Sequence, residues 1–232
     1  MVAQGQSTDL LGIGVYTPQE AAFYARVPTQ TINRWIWGST KCDSAFTPEI
    51  DGERLVSFRD FVTALAIRTI RSSQQPVSLQ KIRSAIQLAE EEYGVSHPLA
   101  RQHSIYQFGD EIVINLPDHE SSHYVQLTGK HKRNRLLKQI VEPFLLNVDY
   151  GQDGLASLFR PYSYRAYDIV LDPKLRFGEP LVSSTGYSAR TLWEAFRDEG
   201  GLGEAARAYG VTEDAVHAAC MYYDHLTVAP PN

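Results

Sequence analysis

Apolar residues recur at helical spacing along the first hundred positions of this chain. Thr17-Pro18-Gln19-Glu20 predicts a helix start, with a capping hydroxyl, a proline at the first helical position and an acid placed to close a capping box. Small residues Ala21, Ala22 and Ala25 follow, which let a second helix approach closely. That helix is predicted from Thr29, with Ile32 and Trp35 on one face and Val27 available to the same core. Thr31, Gln30, Asn33 and Arg34 are left on the other face. "FTPEIDGERLVSF" predicts a hairpin around Asp51-Gly52. Ser57-Phe58-Arg59-Asp60 then caps a helix that turns Phe61, Val62, Leu65 and Ala66 inward. Ser78 opens another, carrying Ile82, Ile86, Ala89 and Tyr93 at helical spacing, with Gly94 as its stop.

Alternation takes over in the middle of the chain. "HSIYQFGDEIVIN" predicts a hairpin around Gly109-Asp110. "RNRLLKQIVEPFLL" predicts a short helix with Leu136, Leu137, Ile140 and Val141 on one face and basic residues opposite. "FLLNVDY" and "LASLF" read as a strand pair around Gln152-Asp153-Gly154. From Tyr167 a short strand leads to Phe177-Gly178-Glu179-Pro180, then to a helix at 189–199 buried through Leu192 and Phe196. A second helix-turn-helix follows, with Ala205, Ala206, Tyr209, Val211, Val216 and Ala219 as its core. The expected fold is mainly α, in the α+β class. Three regions are expected: a helix-turn-helix domain at 1–95, a middle of hairpins and a basic helix at 96–160, and a C-terminal helical domain at 161–232.

Charge sharpens this division. The chain carries -5 overall, and its acid excess lies mostly in residues 161–232, which hold six Lys/Arg against ten Asp/Glu. A general nucleic-acid coat is disfavoured, whereas one local DNA-facing surface is not. Two cysteines, Cys42 and Cys220, are too few for a disulfide framework or a zinc site. No apolar run reaches the roughly 18 residues of a membrane span, and the N-terminus lacks a signal-peptide layout. These features predict a soluble, cytoplasmic protein. The preponderance of arginine over lysine points to a GC-rich bacterial gene.

The polar face of the second helix has the composition of a DNA reader. Arginine pairs bidentately with guanine, and Asn or Gln with adenine. Gln30, Thr31, Asn33 and Arg34 are the expected base-facing set, with Arg26, Lys41 and Arg54 on phosphates and Thr29 also in the DNA-binding group. "YTPQEAA", "TINRW", "LVSF" and "VSLQKIR" together resemble the MerR-like winged helix-turn-helix, over 16–93. Arg26 stands where that superfamily usually has glycine, and Pro28 where it has a capping Ser or Thr. The last 65 residues resemble a bacterial domain-of-unknown-function family marked by Asp-Pro, then Phe-Gly-x-Pro and two hydrophobics. Asp172-Pro173 and Phe177-Gly178-Glu179-Pro180-Leu181-Val182 carry that match. Ser184-Thr185-Gly186 replaces the family's Gly-Thr-Arg, so that arginine's role does not transfer.

The two-part layout is similar to the larger actinobacterial VapB antitoxins, of the VapBC kind numbered forty-five. That resemblance implies a neighbouring VapC-like partner, a PIN-fold ribonuclease with an acidic Mg²⁺ or Mn²⁺ site. It also implies repression of the shared operon, with a homodimer on a palindromic operator. Arg160, Arg165 and Arg176 are candidate toxin contacts, since a long arginine competes with a metal for an acidic site; the competing reading makes them surface salt-bridge partners. The second helix-turn-helix has no Lys or Arg between Val211 and Leu226, and Glu213 and Asp214 open its last helix. Phosphate repulsion predicts a protein-binding or dimer-forming role there. His119, His123 and His131 lack metal-ligand spacing, so no metal or cofactor is expected. No nucleophile signature or phosphate loop points to an enzyme. The rival readings are a stand-alone MerR-like regulator that senses a small molecule, and an adaptor that does not bind DNA.

Overall fold

Local capping chemistry builds the first half of the chain much as its pattern predicts. A computed structural model describes residues 13–102, 105–108, 110–117, 122–129, 135–136 and 147–228. Helix α1 (Pro18–Tyr24) begins with a complete capping box. Thr17 Oγ1 accepts from the Glu20 N–H at 3.2 Å, and Glu20 Oε2 accepts from the Thr17 N–H at 2.8 Å. Ala21, Ala22 and Ala25 are buried, which lets α2 (Thr29–Trp37) pack closely through Ile32, Trp35 and Ile36. Ser57 caps α3 (Phe58–Arg71) and Ser78 caps α4 (Leu79–Tyr93), while Gly94, at φ +64°, closes α4.

The hairpin expected at Asp51-Gly52 does not form. Its turn exists, with Gly52 at φ +75° donating its N–H to Asp51 Oδ1, but no strand pairing flanks it. Instead β1 (Val15–Tyr16) pairs antiparallel with β2 (Val56–Ser57), Tyr16 opposite Val56. The extended run after the turn therefore spends its ladder bonds on a strand forty residues earlier.

The middle holds two antiparallel sheets. The first is a meander of β3 (Ile105–Phe108), β4 (Glu111–Pro117), β5 (Ser122–Gln126) and β6 (Arg135–Leu136). Its first two strands form the hairpin expected around residues 109–110. Arg135 and Leu136 pair with Val125 and Tyr124, so Leu136 lies in an edge strand rather than the expected helix. Leu137, Ile140 and Val141 lie outside the described residues, as does most of the basic run. The second sheet orders β10 (Leu181–Val182), β9 (Tyr167–Leu171), β8 (Ala156–Tyr164) and β7 (Val148–Tyr150). Strand β8 passes through residue 160 without a break, so this sheet joins the middle of the chain to its C-terminal part.

Three helices complete the fold: α5 (Ala189–Asp198), α6 (Leu202–Tyr209) and α7 (Glu213–Thr227). One core joins α1–α4 to both four-stranded sheets, through residues such as Ile67, Ile86, Ile112, Val148 and Leu171. A second gathers Ile169, Val182, Leu192, Ala215 and Tyr222 beneath α5 and α7. A third, smaller one holds α6 through Ala205, Val216 and Cys220. Tyr24 of α1 packs against both larger cores, so the two helical parts share one apolar seam. Among the described residues no helix is long and apolar enough to cross a membrane.

Candidate nucleic-acid interface

The turn between α1 and α2 is held by an arginine in a conformation that usually belongs to glycine. Arg26 has φ +52°, which costs a non-glycine residue on the order of 1 kcal/mol. Its side chain offsets that cost through the far end of the chain. Nη1 lies 3.0 Å from His225 Nε2, and Nη2 donates to the Val228 carbonyl at 3.0 Å. An arginine can only donate, so the His225 ring nitrogen accepts and is neutral. Burial and the positive charges of Arg26 and Arg68 hold the His225 pKa below its usual value, consistent with that role. Arg26, expected on phosphate, is thus turned toward the C-terminal end of α7.

The other expected residues line up along α2 and just beyond it. Gln30 and Arg34 are exposed one turn apart, and no ion pair involves Arg34 among the described residues. Thr29, Thr31 and Asn33 are half-buried on the flanks of this face. Asn33 turns inward, its Oδ1 out of solvent and without a partner. Trp37 extends the face, and the Arg54 guanidinium lies over its ring at 5.6 Å, worth about 0.5–1 kcal/mol at an exposed site. Gly38 ends the helix at φ +76°; a Cβ there would lie 2.8 Å from the Cys42 carbonyl oxygen. The tight Ser39–Cys42 turn that follows carries exposed Lys41. Gln30, Arg34, Lys41 and Arg54 are therefore the exposed members of the expected set, one neutral side chain and three cations.

Sequence reasoning missed what stiffens this surface. Arg83 of α4 donates from Nε to the Ser44 carbonyl at 2.6 Å and from Nη2 to that of Asp43, clamping the loop after α2. Asp60 fastens the loop bearing Arg54, its Oδ2 accepting the Glu49 N–H at 3.0 Å. Burial pushes the Asp60 carboxyl up to about 6, despite that bond. Arg83 gave no signal of its own and Asp60 only that of a helix start, because each braces a segment outside its own helix.

A second brace crosses from β1 to the Phe-Gly-x-Pro segment. Tyr16 donates its hydroxyl to the Gly178 carbonyl at 2.9 Å, 162 residues away. Gly178 sits at φ +89°, and a Cβ there would collide with the same hydroxyl. Arg176 and Phe177 before it also have left-handed backbone, at φ +44° and +56°. Leu175 and Phe177 are 50% and 55% exposed at this tip. Nearby, Phe23 of α1 meets Tyr223 of α7, which stacks on Trp193 at 4.9 Å.

The second helix-turn-helix presents a different surface. The last helix, α7, buries eight residues, from Ala215 to Leu226. Its N-terminus is tied to the β8–β9 turn, where Arg165 pairs with Asp214 at 2.6 Å and Thr212 donates to the Tyr167 hydroxyl at 2.9 Å, while Thr212 and Glu213 stay exposed. Of the candidate toxin contacts, Arg160 pairs with Asp149 at 2.6 Å and lies 3.8 Å from Asp168. Arg165 is likewise paired, with Asp214. Arg176 has only a long 3.8 Å approach to Glu179. His119 and His131 lie outside the described residues, as does the His123 side chain. Among the described residues, no cluster of three or more metal-binding side chains occurs.

These features define an α+β protein in which a helix-turn-helix is braced by a C-terminal helical unit. Residues 169–223 match the protein family of unknown function DUF433, covering the Phe-Gly-x-Pro segment, α5, α6 and most of α7. The chain is also similar to the protein named "Putative antitoxin VapB45" of Mycobacterium tuberculosis. The two are 24% identical over 229 residues, 89% of this chain and 92% of that protein. The crystal structure of Rv2018 from Mycobacterium tuberculosis shares the fold, with a TM-score of 0.58 at 21% identity, over 88% of this chain and 96% of that one.

Proposed function

We propose that this chain is the antitoxin of a type II toxin–antitoxin pair. It binds and neutralises a VapC-like PIN-domain ribonuclease encoded beside it, and as a homodimer represses their shared operon. The observation that carries this reading is the similarity to the mycobacterial antitoxin, which runs through nearly the full length of both proteins. In this account α2 enters the major groove. Gln30 and Arg34 read bases, with Thr29, Thr31 and Asn33 at the margins, and Lys41 and Arg54 hold phosphates. Arg26 acts by holding the turn against α7.

The test is capture with the tagged full-length chain, followed by a band-shift on the DNA upstream of its gene. A stoichiometric small ribonuclease that loses activity in the complex, together with salt-sensitive binding to that DNA, supports the proposal. A chain that purifies alone and leaves the adjoining gene product active contradicts it.

One feature favours a second reading, a stand-alone MerR-like regulator. An open cleft of about 590 Å³ lies between α3, the β7–β8 turn and Pro173-Lys174. Its size suits a small ligand. A raised melting temperature with one chemical class of metabolite, and no captured protein, favours that regulator.

A further inference from the structure

The Leu175–Phe177 tip combines three features with no use inside this chain. Its two apolar side chains are half in water, whereas most large apolar groups of the fold are buried. Its backbone is left-handed at three successive residues, two of them not glycine. Such outliers persist only where the surrounding structure holds them, and here the Tyr16 bond to Gly178 does so. Lys174 and Arg176 alternate with the apolar pair, and both are exposed. Fold stability explains none of this, because a polar residue tolerant of left-handed backbone would serve better at Phe177.

We infer that this tip is the anchor by which the chain grips its protein partner, through a partner surface that offers an apolar recess rimmed by carboxylates. The inference rests on the antitoxin reading and names the contact within it. Charge selects the occupant: two cations flank the apolar pair at the exposed end, in a chain that is acidic overall. Acids at the foot of the tip, Asp172 and Glu179, with Glu20 of α1 near the same tyrosines, oppose a phosphate backbone there. The arginines otherwise suited to the task, Arg160 and Arg165, are held by Asp149 and Asp214. An exposed aromatic on a rigid loop, beside an arginine with only a long internal partner, has the composition of a binding hot spot. Because the tip is already ordered, docking loses little entropy.

The experiment uses the full-length chain and the purified, immobilised product of the adjoining reading frame, with affinity read by interferometry. Leu175→Ser combined with Phe177→Asn removes the apolar pair while keeping a residue at 177 that tolerates left-handed backbone. The expected loss of affinity is roughly 30-fold or more, with the melting temperature and operator binding unchanged. Arg176→Glu is a second, independent variant, expected to lose affinity by slowing association at low salt. Arg165→Ala is expected to bind as wild type. If wild type binds and both tip variants bind equally well, the anchor is refuted while the antitoxin reading stands. Should wild type itself fail to bind, both fall. A tip variant that changes only the oligomeric state of the chain assigns the tip to a second copy and also overturns the inference.

Discussion

The chain contains two helix-turn-helix units that look alike in sequence and differ in what they leave open to solvent. In the first, α2 buries Ile32, Trp35 and Ile36 and leaves its polar face exposed. In the second, α7 buries eight residues against α5, α6 and the β8–β9 hairpin, and the face it leaves exposed carries Glu213, Met221 and Asp224. The motif therefore supplies a way of packing two helices, and the side chains on the exposed face decide what the second helix can meet. Charge follows the same division: cations flank α2, whereas Glu213 and Asp214 open α7.

The largest expected effect breaks the second unit outright. Tyr222 is fully buried in α7, and Tyr222→Ala removes an aromatic ring from that core. The expected loss is about 3–5 kcal/mol of stability, read from urea denaturation midpoints at constant slope. A smaller loss would mean that α7 is less committed to the core than its burial indicates.

Next comes Asp60, which fastens the Arg54 loop beside the first unit. Its folded pKa, about 6, lies above the ordinary 3.8. The folded chain therefore holds this proton more tightly than the unfolded chain does. The corresponding stability is fully present below about pH 3.8 and lost as pH rises through 6. Between pH 4 and 7 wild type should lose about 2 kcal/mol relative to Asp60→Asn, measured as the difference in unfolding free energy. Parallel pH profiles for the two proteins would refute the assignment.

Arg34→Ala sharpens the comparison at the surface. It is expected to weaken operator binding by about 1–3 kcal/mol with no change in melting temperature, as checked by fluorescence anisotropy at fixed salt. The smallest effect belongs to Arg165→Ala. That pair is exposed and screened by solvent, so its loss should leave both the melting temperature and the DNA affinity unchanged.

The legible part of the fold was whatever short-range chemistry controls. Thr17 with Glu20, Ser57, Ser78 and Gly94 marked helix ends that the structure reproduces, and Ile32 with Trp35 marked the buried side of α2. The Asp51-Gly52 hairpin failed because β2 finds its partner at Val15–Tyr16, a choice no local window contains. Leu136 misled for a similar reason: its helical spacing lost to pairing with β5. Within the candidate site, the exposure of Gln30 and Arg34 on α2 could be read from position alone. The roles of Arg26, Arg83 and Tyr16 could not, since each depends on contacts at 225, 44 and 178 that only the folded chain brings close.

Hydrogen exchange of the full-length chain, with and without the DNA upstream of its gene, tests the central contrast most directly. The account predicts protection in residues 29–41 and around Arg54, with residues 202–227 unchanged. Protection of α6 and α7 on adding DNA, with none in α2, would contradict it.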